Sequence, residues 1–139
     1  MTIGIVNARI FRAETRDFFF GDVLVSDGYI TFVSEKTPDQ NANFADYQGD
    51  LINPDTRILD AEGRHLIPGL VDVHTHGRAG GDFTTAEEAL LLRMSQSYLS
   101  SGVTTLLPTL ASAPLEDLYA AAERIDHVRK KTEDDPAYA

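Results

Sequence analysis

The chain has 139 residues, 42% apolar and 24% charged, which is long enough for a real core and is not the composition of a disordered tail. Its 22 acidic and 12 basic side chains leave a formal charge of −10, which makes nucleic acid and anionic membrane poor partners. Without cysteine, disulfides, thiolate metal sites and thiol nucleophiles are excluded, so any metal must be held by His, Asp, Glu or a modified side chain.

The start, MTIGIVNARIF, has no basic segment leading a long apolar core, and no run approaches the roughly 18 apolar residues of a membrane span. A cytoplasmic location is therefore expected. Ile3 and Ile5, then Val6, Ala8 and Ile10, predict a strand with one break in its alternation. Phe18 to Ser26 predicts a second strand and Tyr29 to Val33 a third. Between them Asp27-Gly28 is a hairpin signal, because both central residues of such a turn need positive φ. Residues 36 to 57, with Pro38, Asn41, Asn43, Gly49, Asn53 and Pro54, predict a long polar loop. Ile58 to Asp60 predicts a short strand, which Glu62-Gly63 is expected to turn back into Arg64 to Ile67.

Pro68-Gly69 punctuates the chain, and a domain boundary is expected there: residues 1–67 as part of a β-sandwich, 68–139 as a second domain. The period then changes. Leu70 to His76 predicts a strand, and Thr84 or Thr85 a helix cap completed by Glu87 or Glu88. The helix is expected to run to about Ser101 with Ala86, Ala89, Leu90 and Met94 on one stripe, and to stop at Gly102. Val103 to Leu107 predicts a buried strand ended by Pro108. A second helix opens near Pro114, with Leu115, Leu118, Tyr119, Ala122 and Ile125 at helical spacing, acidic residues leading and Arg129-Lys130-Lys131 closing. Strand–helix–strand–helix implies parallel pairing, and two such units cannot close a barrel.

The chemistry-bearing motif is Asp72-Val73-His74-Thr75-His76. Alternate residues of a strand share a face, so His74 and His76, with Cα atoms about 6.5–7 Å apart, can converge on one cation at about 2.0–2.1 Å from each nitrogen. Asp72 shares that face one level deeper and can orient a histidine or brace the ion. A glycine loop of Gly77, Gly80 and Gly81 follows, where backbone can approach a ligand or simply turn. Ligands of parallel α/β proteins bind at the C-terminal ends of strands, which is where the pair falls. Arg78 reads as a solvated loop arginine or an anion contact, and His65 as structural. His127 reads as solvent-facing or as a helix-dipole partner, Asp82 as a loop brace, and Asp134-Asp135 as tail.

Pro68-Gly69-Leu70-Val71-Asp72-Val73-His74-Thr75-His76 resembles the first-strand signature of the amidohydrolase superfamily. Gly77 to Phe83 and Gly102-Val103-Thr104-Thr105-Leu106-Leu107-Pro108-Thr109-Leu110 resemble the N-acetylglucosamine-6-phosphate deacetylase branch. The specific likeness covers about residues 58 to 116. It implies an α/β fold in which part of a β-sandwich precedes the first two β/α units of a TIM-like (β/α)8 barrel. It also implies a divalent metal such as Zn, Fe or Mn, with His74 and His76 as two of its ligands, and hydrolysis of the N-acetyl group of an amino-sugar phosphate to acetate and the free amine. A homodimer is implied for the full-length enzyme. In the family the catalytic Asp and the remaining ligands lie further along, so no catalytic residue is expected within these 139 residues, and the sequence reads as an N-terminal fragment, inactive alone. Two alternatives remain: another amidohydrolase, such as a cyclic-amide hydrolase, an isoaspartyl dipeptidase or a deaminase, and a non-catalytic α/β module with an incidental His-x-His.

Overall fold

Apolar alternation at the start of the chain produces β1 (Thr2–Arg12), which pairs antiparallel with β2 (Asp17–Ser26), itself antiparallel to β3 (Tyr29–Glu35). The computed structural model describes residues 1–37 and 55–138, and the chain divides into two compact units, Met1–Pro68 and Gly69–Ala139. The β2–β3 hairpin closes at Asp27 and Gly28, with φ of 51° and 84°, the positive values its two-residue turn demands. The expected break in β1 is a β-bulge between Ile5 and Ala8, where Asn7 takes φ 54°. It puts Ile5 and Ala8, three residues apart, against one cluster, where strict alternation would send them to opposite faces. Ala8, Ile10 and Val23 form the buried centre of that cluster, with Ile5, Phe19, Val25, Ala61 and Leu66 packed on it.

The far edge corrects one expectation. β4 (Arg57–Asp60) and β5 (His65–Leu66) do not form a hairpin; both run parallel to β1, giving the order β3-β2-β1-β4 with β5 further along β1. Glu62 and Gly63 do turn, with φ of 52° and 77°, but the loop leaves the edge and rejoins it in the same direction. Its position follows from the bulge. Ala61 N–H donates to the Val6 carbonyl at 2.8 Å, Gly63 N–H to Asn7 at 2.7 Å, and Arg9 N–H to Arg64 at 2.9 Å. An extra residue on β1 is thus matched by an excursion on its neighbour, and the backbone donors stay satisfied. Asp22, buried on β2, accepts the Asn7 backbone N–H at 3.0 Å and ion-pairs with Lys36. Asn7 Nδ2 donates to Asp60 Oδ1 at 3.1 Å. The polar loop expected over residues 36 to 57 lies outside the described residues for 38–54, including Pro38, Asn41, Asn43, Gly49, Asn53 and Pro54.

In the second unit β6 (Leu70–Thr75) pairs parallel with β7 (Val103–Pro108), and α1 (Glu88–Leu99) connects them. α2 (Leu115–Thr132) follows. The described residues are mixed α/β, and a closed barrel is not among them. α1 starts later than Thr84 or Thr85, and the expected capping box does not form: Glu87 precedes the first turn without a side-chain cap. Asp82 takes the two threonines into a turn of its own instead, its Oδ1 accepting Thr84 N–H at 2.8 Å and its carbonyl accepting Thr85 and Ala86 N–H. Thr84 Oγ1 then serves Ala111 N–H, 2.8 Å away.

The core gathers Phe83, Ala86, Leu91, Met94, Tyr98, Val103 and Val128. Ala89 is exposed, and the inward stripe of α1 is Leu91, Met94, Ser95 and Tyr98. On α2 the buried residues are Ala121 and Val128, with Ile125 against the core, while Leu115, Tyr119 and Ala122 face outward. The α1 stripe holds at Ala86, Leu90 and Met94 and fails at Ala89, while on α2 Ile125 holds and the stripe turns toward Ala121 and Val128, because that helix has apolar residues on more than one face and packing chose between them. Arg124 on α2 ties that helix to the turn before α1, donating to the carbonyls of Ala86 at 3.2 Å and Thr84 at 3.1 Å. β7 is less buried than expected, with Thr104, Thr105 and Leu107 exposed, and Val73 on β6 is 66% exposed. Among the described residues no helix is long and apolar enough to cross a membrane.

Two measurements check this account. Asp22→Ala removes the ion pair to Lys36 and the acceptor of the bulge N–H, and is expected to cost about 3 kcal/mol in denaturant unfolding; a loss under about 1 kcal/mol would contradict the burial. On α1, Glu88 pairs with Lys131, whose hydrogen bond and charge, with His127 beside it, hold the Glu88 carboxyl below its ordinary 4.5. The pair's contribution is therefore present above that range and lost as pH falls through the lowered pKa. Lys131→Met is expected to move the Glu88 carboxyl titration upward by NMR.

Candidate metal centre

The β6–β7 ladder shifts register between Asp72 and Thr75, so simple alternation does not carry from Asp72 to the histidines; the rings of His74 and His76 meet, while the Thr75 hydroxyl between them goes to Tyr98. His74 is the last but one residue of the strand, and His76 follows its end. Both side chains are exposed. Their ring centres lie 5.3 Å apart at an interplanar angle of 76°. Two imidazoles on one tetrahedral cation, each nitrogen about 2.0–2.1 Å from it, have ring centres about 5 Å apart. The donor chemistry and the spacing of this pair fit two positions of such a site. Among the described residues no group of three or more His, Asp or Glu is arranged to hold a metal, so a complete coordination sphere needs donors from elsewhere.

Asp72 is half-buried and its Oδ1 accepts the backbone N–H of His74 at 3.2 Å. It braces the main chain of the first histidine.

The residue between the histidines is held more firmly than either. The Thr75 carbonyl accepts Thr109 N–H at 2.9 Å, and Thr75 N–H donates to Thr109 Oγ1 at 3.3 Å. Below the strand, the Thr75 hydroxyl hydrogen-bonds to that of Tyr98, which is 4% exposed. One residue later the His76 carbonyl accepts Phe83 N–H at 2.8 Å. Tyr98 went unmarked in the sequence, where it shows only as an apolar residue four after Met94; Thr109 entered only as part of the Gly102–Leu110 run, with no role of its own.

The glycine loop is shaped by close packing. A Cβ on Gly77 would collide with the Gly81 carbonyl and lie 2.8 Å from Asp82 Cα. One on Gly81 would lie 2.5 Å from Met94 Sδ and 2.9 Å from Leu90 Cγ. Gly80 has open space around it and φ 83°. Arg78 turns to the C-terminal end of α1, donating to Ser101 Oγ at 2.6 Å with its guanidinium 5.3 Å from the Tyr98 ring centre. His65 packs edge-on to Phe18, 4.5 Å between ring centres. His127 is exposed, 3.8 Å from Glu88. Asp135 Oδ1 accepts Ala137 N–H at 3.0 Å in a turn after α2. A cavity of about 530 Å³, lined by Leu91, Leu106, Ile125, Val128 and Tyr138 among others, does not include the histidine pair.

No protein-family model matches the chain. Imidazolonepropionase of Staphylococcus aureus is 30% identical over 108 residues, covering 74% of this chain and 23% of that protein. N-acetylgalactosamine-6-phosphate deacetylase of Escherichia coli O157:H7 is 32% identical over 68 residues, covering 49% of the chain and 18% of that protein. Among solved structures, N-acetyl-D-glucosamine-6-phosphate deacetylase of Mycobacterium smegmatis matches with a TM-score of 0.65 at 21% identity, over 94% of this chain and 30% of that one. The chain thus spans about a quarter of the length of the imidazolonepropionase. These proteins are amidohydrolases, and the chain resembles them in sequence and in fold.

Packing of the glycine loop makes a graded prediction. Gly77→Ala meets backbone and is expected to destabilise the chain by about 2–3 kcal/mol. Gly80→Ala meets only the backbone preference against positive φ and is expected to cost about 1 kcal/mol. Thermal melts showing the reverse order would contradict the loop geometry.

Proposed function

We propose, from the likeness to amidohydrolases, that this chain contributes the first two metal ligands, His74 and His76, to a hydrolase that removes the N-acetyl group from an amino-sugar phosphate. The observation that carries this reading is the imidazole pair itself, exposed at the C-terminal end of a parallel strand with ring centres 5.3 Å apart. A bound divalent cation supplies Lewis acidity at the amide carbonyl and acidifies water at neutral pH. The chain's own part is positional. His74 and His76 offer ring nitrogens side by side, Asp72 fixes the main chain at His74, and the packed glycine loop holds the ground beside them.

The catalytic base is assigned to parts of the protein beyond these residues, as are the remaining ligands, the other barrel strands and a homodimer interface. The Gly102 to Leu110 run and the match to two amino-sugar phosphate deacetylases support this substrate class. A different amidohydrolase, acting on a cyclic amide, is the second reading. It is favoured by the imidazolonepropionase match, which covers more of the chain than the deacetylase match does, 74% against 49%. A cytoplasmic location belongs to the same proposal.

Titration of the full chain with Co²⁺ is expected to show binding that His74→Ala and His76→Ala each weaken by at least about 10-fold. Indistinguishable binding by the variants would remove the site. The 139 residues alone are expected to release no acetate from N-acetylglucosamine 6-phosphate. In the whole protein, turnover of a cyclic amide with none of the acetylated sugar phosphate would select the second reading.

A further inference from the structure

We propose that Tyr98 is a positioning residue for the imidazole pair, acting through the hydroxyl of Thr75 to set the direction in which His74 and His76 leave the strand. This rests on the assignment of those histidines as ligands. Its physical basis is the arrangement of three successive side chains at the end of β6. The rings of His74 and His76 meet, centres 5.3 Å apart, while the hydroxyl of Thr75 between them goes to Tyr98. Rotation of the strand end about its own axis swings all three side chains together, so a clamp on the middle one fixes the outer two.

Thr75 is that clamped residue. Its N–H and carbonyl both bond to Thr109, and its hydroxyl bonds to Tyr98. The Thr109 bonds fix how far β6 extends beside β7, but they leave the strand free to twist about that edge. The Tyr98 bond is different: it acts on the underside of the strand, from a helix. Tyr98 is 4% exposed and belongs to the core with Phe83, Leu91, Met94 and Val103. Its ring stacks on Phe83, centres 6.3 Å apart at 16°, and carries the Arg78 guanidinium at 5.3 Å from its centre. A tyrosine placed only for packing needs no hydroxyl; a buried one finds a partner or costs free energy. Here the partner is the single side chain lying between the two candidate ligands. Phe83, against which the ring stacks, also donates its N–H to the His76 carbonyl. One packed group thus touches the strand end from below and one residue beyond it. Binding a cation to both imidazoles must also order the strand end that carries them; fixing that backbone beforehand removes this part of the cost.

The test uses the full chain and two readouts. The first needs no metal: the nuclear Overhauser effect between the His74 and His76 rings, observed by NMR. The second is affinity for Co²⁺ alone. Tyr98→Phe keeps the ring and removes the hydroxyl; Thr75→Val keeps the shape and removes the other hydroxyl. Both are expected to weaken the inter-ring effect and to lower Co²⁺ affinity about 10-fold, the size of loss that supporting partners of metal ligands show. Thr75→Ser retains the hydroxyl and is expected to restore both readouts. The double variant Tyr98→Phe/Thr75→Val should be no worse than either single one. If Tyr98→Phe and Thr75→Val, with melting curves showing them folded, leave the inter-ring effect unchanged, Tyr98 does not position the pair. If they alter it while neither His74→Ala nor His76→Ala changes Co²⁺ binding, the positioning stands and the ligand assignment falls.

Discussion

The arrangement of one residue triplet is the constraint on which the candidate site depends. His74, Thr75 and His76 occupy three successive positions, and only the middle one faces the helix layer. A strand end is ordinarily loose, because its last backbone groups lack ladder partners. This one is not, since the groups of Thr75 go to Thr109 and the carbonyl of His76 to Phe83. The two imidazoles can therefore stay exposed and polar while the chain beneath them is fixed by a buried core. Exposure keeps their nitrogens available; the core supplies the order.

Short carboxylates recur at several places where the described chain departs from regular structure. Asp22 takes the N–H of Asn7 at the bulge, Asp60 the N–H of Glu62 at 2.8 Å, Asp72 that of His74, and Asp82 that of Thr84. The last three are the same contact, an aspartate accepting from the residue two positions on, which replaces a lost ladder or helix bond with a side-chain one. Hydrogen bonds from Glu62 and Asn7 hold the Asp60 carboxyl below its ordinary range. Part of the acidity that reads as a solvated surface is thus bound to backbone donors at turns and bulges.

The places where chain order misled share a cause. The Glu62-Gly63 pair has the φ values of a tight turn, and a local reading makes it a hairpin. What decides direction is the bulge at Asn7, some fifty positions earlier, whose carbonyl receives the Gly63 N–H. Thr84 carries a capping residue's side chain, yet its oxygen is claimed by Ala111 across the fold. Of the stripe Leu115, Leu118, Tyr119, Ala122 and Ile125, Ile125 does pack on the core, but Leu115, Tyr119 and Ala122 face outward, and Ala121 and Val128, at the same spacing, are buried instead. In each case two local solutions were close in energy and a partner distant in sequence selected one.

The sequence by itself determined what local rules determine: the hairpin at Asp27-Gly28, the break in β1, the strand and helix order after Pro68, and the placing of His74 and His76 on one strand face. Each follows from backbone preference or a fixed period, which neighbouring residues alone supply. Only the tertiary structure decided that β4 and β5 share an edge in one direction, that α1 begins at Glu88, and that Tyr98 and Thr109 grip Thr75. Those outcomes depend on contacts spanning tens of residues, where burial and hydrogen-bond satisfaction outweigh the few tenths of a kcal/mol that separate local alternatives.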